Sequence, residues 1–190
     1  MRLIKKMVNA IEFRFYLLPI WWCKIYFDKI LKQTHYKHIG NSQLMLNWIV
    51  QRIFRMNSEI PISVSFTSKI QGFNNIIFNG DNVKAKISIA VSGGCYFTIF
   101  DGTTLEIGDG TLWAYNVCIQ TGNHGLLNRD SHEVSSISIG KNCWLGNGVT
   151  ILPGVVLGDN VTVGANAVVT KSFPSNVVIA GCPAKIIKQF

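Results

Sequence analysis

Apolar residues in the C-terminal third of the chain keep a six-residue period. Written in sixes from Ile139, the sequence reads IGKNCW, LGNGVT, ILPGVV, LGDNVT, VGANAV, VTKSFP. An aliphatic residue opens each unit: Ile139, Leu145, Ile151, Leu157, Val163 and Val169. Gly follows it in four of the six, and Cys, Val or Ala usually holds the fifth place. Three earlier units, IGDGTL, WAYNVC and IQTGNH, obey the same rule from Ile107, Trp113 and Ile119. One large aliphatic side chain every six residues, with small residues near it, predicts short strands that turn at regular corners and stack as a solenoid. The aliphatic residues ladder up inside, and Gly and Asn supply the unusual backbone angles at the corners.

Upstream the period changes. In PISVSFTSK, residues 61–69, apolar Ile62, Val64 and Phe66 alternate with polar Ser63, Ser65 and Thr67, which predicts a strand. A less regular stretch, rich in Asn, Gly and β-branched residues, follows to about residue 100. Nearer the N-terminus, Leu18, Trp21, Trp22, Ile25 and Ile30 recur at helical spacing over 13–32. There Lys24 and Asp28 stand one helical turn apart, and Pro19 marks a kink or a start. A second helix is predicted over 41–55, with Asn41 or Ser42 as its N-cap. The chain thus divides into a helical segment 1–60, a solenoid 61–180 and a tail 181–190.

The six-residue rhythm breaks once, in TGNHGLLNRDSHE. His124 closes the unit that opens at Ile119, and the period resumes only at Ile139, which leaves an excursion over 125–138. Loops thrown out at solenoid corners are where function tends to sit.

Composition narrows the classes. With 190 residues, 48% hydrophobic and 15% charged, the chain suits one well-buried domain and not a disordered one. The net charge of +8 is local: residues 1–60 hold ten Lys/Arg against Glu12, Asp28 and Glu59, and the remainder is nearly neutral. No nucleic-acid-binding motif accompanies that charge. The aromatic, basic helices suit peripheral contact with an anionic membrane surface, and equally suit packing on the main domain or a neighbouring subunit. The uncharged run over 15–23 is far short of the roughly 20 residues that cross a bilayer. With no small-residue cleavage site after it, the start does not read as a signal peptide. Five cysteines, an odd number without a CxxC pair, argue for reduced, buried thiols in a cytoplasmic protein, with Cys143 in the core.

The hexapeptide rhythm, the NH pair before the excursion, the Trp of IGKNCW and the ending AGCPAK together carry a resemblance. Residues 107–190 resemble the hexapeptide-repeat acyltransferases, especially sugar and polysaccharide O-acetyltransferases and their maltose, galactoside and xenobiotic relatives. The resemblance implies an all-β fold, a left-handed parallel β-helix with three units per triangular coil. It implies a homotrimer, acetyl-CoA as co-substrate, no metal, and a sugar hydroxyl of a polysaccharide or lipid-linked glycan as acceptor. His124 matches the general base and Asn123 a polar neighbour or a corner residue, with the excursion reaching over a cleft between subunits. On the donor side, Trp144, Asn147, Ala165, Thr170 and Lys171 match positions along the coenzyme. Lys185 and Lys188 match cations for its phosphates. His132 and Glu133 read as a solvated loop. Gly94 stands where the galactoside and maltose enzymes carry Asn, so the acceptor pocket is expected to differ.

A thioester is already activated, so its transfer needs a base and an oriented acceptor rather than a covalent acyl-enzyme. The absence of a GxSxG or Cys/His nucleophile signature agrees. Two readings stay open beside this one: an antibiotic acetyltransferase, and a scaffold that has lost catalysis. A zinc-dependent carbonic anhydrase on the same solenoid would need three His ligands, and the repeat region has only His124 and His132.

Overall fold

The computed structural model describes residues 34–190. From Lys69 onward the chain winds around a triangular prism, a left-handed parallel β-helix, laying one short strand on each of three faces per coil. The first face holds β1 (Lys69–Gln71), β3 (Tyr96–Thr98), β6 (Cys118–Gln120), β11 (Thr150–Ile151) and β14 (Val168–Val169). The second holds β2 (Ile76–Phe78), β4 (Leu105–Ile107), β9 (Ile137–Ile139) and β12 (Val156–Leu157). The third holds β5 (Leu112–Trp113), β10 (Trp144–Leu145), β13 (Thr162–Val163), β15 (Val177–Ala180) and β16 (Lys185–Gln189). All pairings within these faces are parallel except β15 with β16.

The unit openers fill the prism. Ile119, Ile151 and Val169 stack on the first face, Ile107, Ile139 and Leu157 on the second, Trp113, Leu145 and Val163 on the third. None of the nine is more than 3% exposed. Burying one such side chain stabilises by roughly 1.5–3 kcal/mol, so the ladders form the main hydrophobic term of the fold. The small fifth-place residues Cys143, Val149, Val155, Val161 and Ala167 fill the remaining interior.

Glycine plays two roles in the units, where corner angles alone account for only one. The turning residue is the fourth: Gly110, Asn116, Asn142, Gly148, Gly154, Asn160 and Asn166 all take positive φ. Gly146, in the second place, does not; it is needed because a Cβ there would lie 2.7 Å from the Ala165 nitrogen of the next coil. Second-place glycine therefore serves close coil-to-coil stacking, and fourth-place Gly or Asn serves the turn.

The N-terminal end of the prism departs from expectation. Residues 61–68 form no strand, although their apolar residues alternate. Their backbone is claimed by helix α1 (Asn41–Arg52) instead: Val64 N–H donates to Gln51 Oε1 at 2.9 Å and Phe66 N–H to Asn47 Oδ1 at 2.9 Å. The amide groups of Asn47 and Gln51 in turn donate to the Ala90 and Ile62 carbonyls. Both side chains are almost wholly buried. With the ladder positions taken by side-chain amides, alternation has no sheet to join. Helix α1 starts after Gly40, whose position carries no side-chain cap, so neither Asn41 nor Ser42 is the N-cap. It also stops at Arg52, short of 55.

A second helix, α2 (Val83–Val91), lies inside the span read as solenoid and replaces the third-face strand of the first coil. It protects the edge strand beneath it. Ser88 Oγ accepts from Trp113 N–H at 3.1 Å, and Ser92 Oγ donates to the Trp113 carbonyl at 2.8 Å. The coils also begin earlier than the hexapeptide rhythm, with Ile70, Phe97 and Leu105 buried in β1, β3 and β4. Residues 181–190 are not a free tail: β16 turns back after a cis Cys182–Pro183 bond and pairs antiparallel with β15. Cys95 and Cys143 are buried free thiols as expected, whereas Cys118 is half-buried and Cys182 exposed. The helix expected over 13–32 lies outside the described residues. Among the described residues no helix is long and apolar enough to cross a membrane.

Candidate active site

The excursion leaves from the corner between the first and second faces. Gly122 occupies the fourth place of its unit but lacks the positive φ that turns the other corners. The chain runs on as β7 (Gly122–His124) and returns as β8 (His132–Val134), its antiparallel partner. Ser135 N–H then bonds the Thr121 carbonyl at 2.8 Å, and Ile137 rejoins the core. The protrusion is thus a hairpin spanning 122–136, not an unpaired loop.

His124 stands exposed at the end of β7. Its Nδ1 lies 2.7 Å from the Arg129 carbonyl oxygen. A carbonyl only accepts, so a neutral ring carries its proton on Nδ1 and presents Nε2 as a bare lone pair. A proton acceptor with fixed orientation is what a general base requires. His132 is directly opposite in the hairpin and its ring lies 4.7 Å from that of His124, centroid to centroid. It is therefore a packed aromatic neighbour and not merely a solvated side chain. Glu133 pairs with Asn123 on the other side of the hairpin and is exposed. Asn123 accepts a 2.9 Å bond from Gln120 Nε2, and it is the Arg129 carbonyl that holds the imidazole. No side-chain pattern could have singled out Arg129, because its contribution to the ring is a backbone oxygen.

The residues matched to the donor fall into two groups. Trp144 faces outward from the third face, 39% exposed, in one row with Thr162, Val178 and Lys188 on successive strands. Lys185 pairs with Ala180 beside that row. Asn147 and Ala165 sit exposed at consecutive turns of the edge between the third and first faces. Thr170 and Lys171 lie elsewhere, on the edge between the first and second faces, two coils beyond His124. Lys171 Nζ rests 5.8 Å from the Phe173 ring centroid. Within one chain, then, the base stands at one edge of the first face, Asn147 and Ala165 at its other edge, and Trp144, Lys185 and Lys188 on the third face.

Gly94 belongs to the edge of Asn147 and Ala165. Its φ is +69°, and a Cβ there would meet Asn116 Oδ1, so the corner itself excludes a side chain. Together with Phe66, Thr67, Tyr115 and Gln43 it lines a hollow of about 420 Å³. Among the described residues no cluster of three or more His, Cys, Asp or Glu is placed to hold a metal.

A triangular β-helix that extrudes a histidine-bearing hairpin at one corner defines a class, and comparison with known proteins agrees. The family profile "Bacterial transferase hexapeptide (six repeats)" matches residues 136–171. The chain is 36% identical over 154 residues to the Escherichia coli K12 "Putative lipopolysaccharide biosynthesis O-acetyl transferase WbbJ", covering 72% of this chain and 74% of that one. It is 44% identical over 96 residues to the galactoside O-acetyltransferase of the same strain, covering 48% of this chain and 47% of the relative. Against the crystal structure of a maltose O-acetyltransferase from Clostridium difficile 630 the identity is 36% and the TM-score 0.47, over 66% of this chain and 60% of that one. The chain thus spans about half the length of the galactoside enzyme. It belongs to the hexapeptide-repeat acetyltransferases.

Proposed function

We propose that the protein moves an acetyl group from acetyl-CoA to a hydroxyl of a sugar, on a polysaccharide or a lipid-linked glycan. The observation that carries this reading is the contact between His124 Nδ1 and the Arg129 carbonyl, which leaves Nε2 free at an exposed edge. The relatives in lipopolysaccharide and galactoside acetylation support the acceptor class.

The donor-side residues fit a long, phosphate-bearing thiol ester. Lys185 and Lys188 lie exposed on the strand that ends the prism, and a point charge is adequate for phosphates. The small exposed residue Ala165 leaves the corner backbone open to an extended chain, and the exposed Trp144 ring offers an apolar wall. The coenzyme supplies an activated acyl carbon. His124 Nε2 takes the proton of the acceptor hydroxyl as its oxygen bonds that carbon, the C–S bond breaks, and the proton passes to the departing sulfur. General-base assistance of this kind is worth about 10²–10⁴-fold. Because the base lies across the first face from Asn147 and Ala165, and Trp144, Lys185 and Lys188 lie beyond them on the third face, the reading requires a homotrimer in which one copy's His124 edge meets its neighbour's Asn147 edge. The hollow beside Gly94, on that same neighbouring edge, would receive the acceptor. A cytoplasmic reaction suits the use of acetyl-CoA, and the basic, aromatic segment 1–60 suits peripheral contact with the inner face of the membrane.

The test is release of coenzyme A thiol from acetyl-CoA with nucleotide sugars, lipid-linked sugars and oligosaccharides as acceptors. His124→Ala is expected to lower turnover by at least about a hundredfold. Turnover that persists in the variant would remove His124 as the base. Failure of the wild type both to turn over and to bind acetyl-CoA would favour the non-catalytic scaffold.

A further inference from the structure

Three rings stand in line at the root of the hairpin. Phe100 and His132 have centroids 5.2 Å apart with planes at 42°, and His132 and His124 follow at 4.7 Å and 40°. We propose that His132, backed by Phe100, is a positioning residue that holds the His124 imidazole in the rotamer and tautomer its role requires. This rests on the reading of His124 as the base, but its physical content does not depend on the acceptor.

The base is constrained from two directions. The Arg129 carbonyl holds the Nδ1 edge at 2.7 Å, and the tilted His132 ring packs beside it at 4.7 Å between centroids. An edge contact alone leaves the imidazole free to tip about the axis of that hydrogen bond. A ring packed beside it opposes that tipping while Nδ1 stays committed to the carbonyl. Offset or tilted aromatic pairs at these separations contribute beyond the area they bury.

The prop is itself anchored in the core. Phe100 N–H donates to Thr121 Oγ1 at 2.9 Å, and Thr103 Oγ1 donates to the Phe100 carbonyl at 2.7 Å. The two threonine hydroxyls are 2.6 Å apart, so Thr121 donates to Thr103 and the three bonds close into a ring. Thr121 is fully buried and Thr103 nearly so, which makes this closed ring a rigid footing. Gly122 leaves the space that the phenyl ring uses. A Cβ on Gly122 would lie 2.7 Å from Phe100 Cδ2 and 3.0 Å from Val134 Cγ1. Since its φ is not positive, clearance and not backbone freedom accounts for glycine there. Closed hydroxyl ring, phenyl, imidazole and base therefore form one continuous line from core to solvent.

The experiment compares wild type, His132→Ala and His132→Phe by long-range ¹H–¹⁵N spectra, which report the tautomer of His124 without any acceptor. Wild type and His132→Phe are expected to show the Nδ1-protonated ring, and His132→Ala a shift toward the Nε2-protonated form. In acetyl transfer, His132→Ala is expected to lower kcat roughly tenfold with little change in KM for acetyl-CoA, the effect of a misplaced group. His132→Phe should recover most of that loss. An unchanged tautomer in His132→Ala would overturn the proposal. So would equal loss in the Ala and Phe variants, which would make His132 a proton carrier. If the wild type transferred no acetyl group at all, the spectra would still decide the positioning role while the functional reading failed separately.

Discussion

The Nδ1 of His124 faces a carbonyl and not a carboxylate. A carboxylate would stabilise the imidazolium, as in a hydrolase triad; a carbonyl fixes the tautomer without adding charge. That division shows what a sequence can disclose about one residue. His124 was legible because it stands where a rhythm stops. Its holder was not, because every residue carries a carbonyl and only the hairpin's path selects that of Arg129. The second-place glycines were legible as a pattern but their role was not, since spacing along the chain does not reveal which backbone of the next coil comes close. Interior residues also set how the fold answers to alkali. Burial pushes the Cys95 and Cys143 thiols above their ordinary value of 9.0, and burial raises the Tyr36 phenol above 10.0. Above about pH 9 the unfolded chain releases those thiol protons while the folded chain keeps them, so stability falls as pH rises. The urea midpoint is therefore expected to be lower near pH 10.5 than near pH 8, by tryptophan fluorescence; an equal midpoint would contradict it.

At the scale of elements, the hairpin stands apart from the prism. β7 and β8 pair only with each other, and the three faces continue past them from β6 to β11, from β4 to β9 and from β5 to β10. Replacing residues 125–131 with a short Gly-Ser link should leave the melting temperature within about 5 °C of wild type. Acetyl transfer should fall at least about a hundredfold, because the Arg129 carbonyl goes with the tip. A large drop in melting temperature would show that the hairpin supports the coils after all. The excursion itself was visible in the sequence, but its pairing was not, since GNH and HEV carry no alternation of apolar residues. Residues 61–68 fail in the opposite way: they alternate, yet the amides of Asn47 and Gln51 satisfy their backbone before any strand can.

At the scale of the molecule, the arrangement of edges makes a prediction that no single chain can meet. The base and the group of Trp144, Asn147, Ala165 and Lys185 would act together only across two copies. Co-expression of His124→Ala with Lys185→Ala should then restore activity that neither variant has alone. Random assortment in a closed trimer gives about a quarter of wild-type turnover. Absence of recovery, or a monomer in sedimentation, would refute the split site. The ends of the prism have a separate meaning. A stack of parallel strands is a template that any further strand can extend, and here one strand at each end is covered. Ser88 and Ser92 occupy the Trp113 backbone at one, while the turn into β16 bonds both backbone groups of Val168 at the other. Removal of residues 181–190 would bare the last coil, and we expect concentration-dependent light scattering from the shortened chain, with no scattering from full-length protein under the same conditions. Such scattering would mean that the segment finishing the fold also keeps a repetitive sequence from growing end to end.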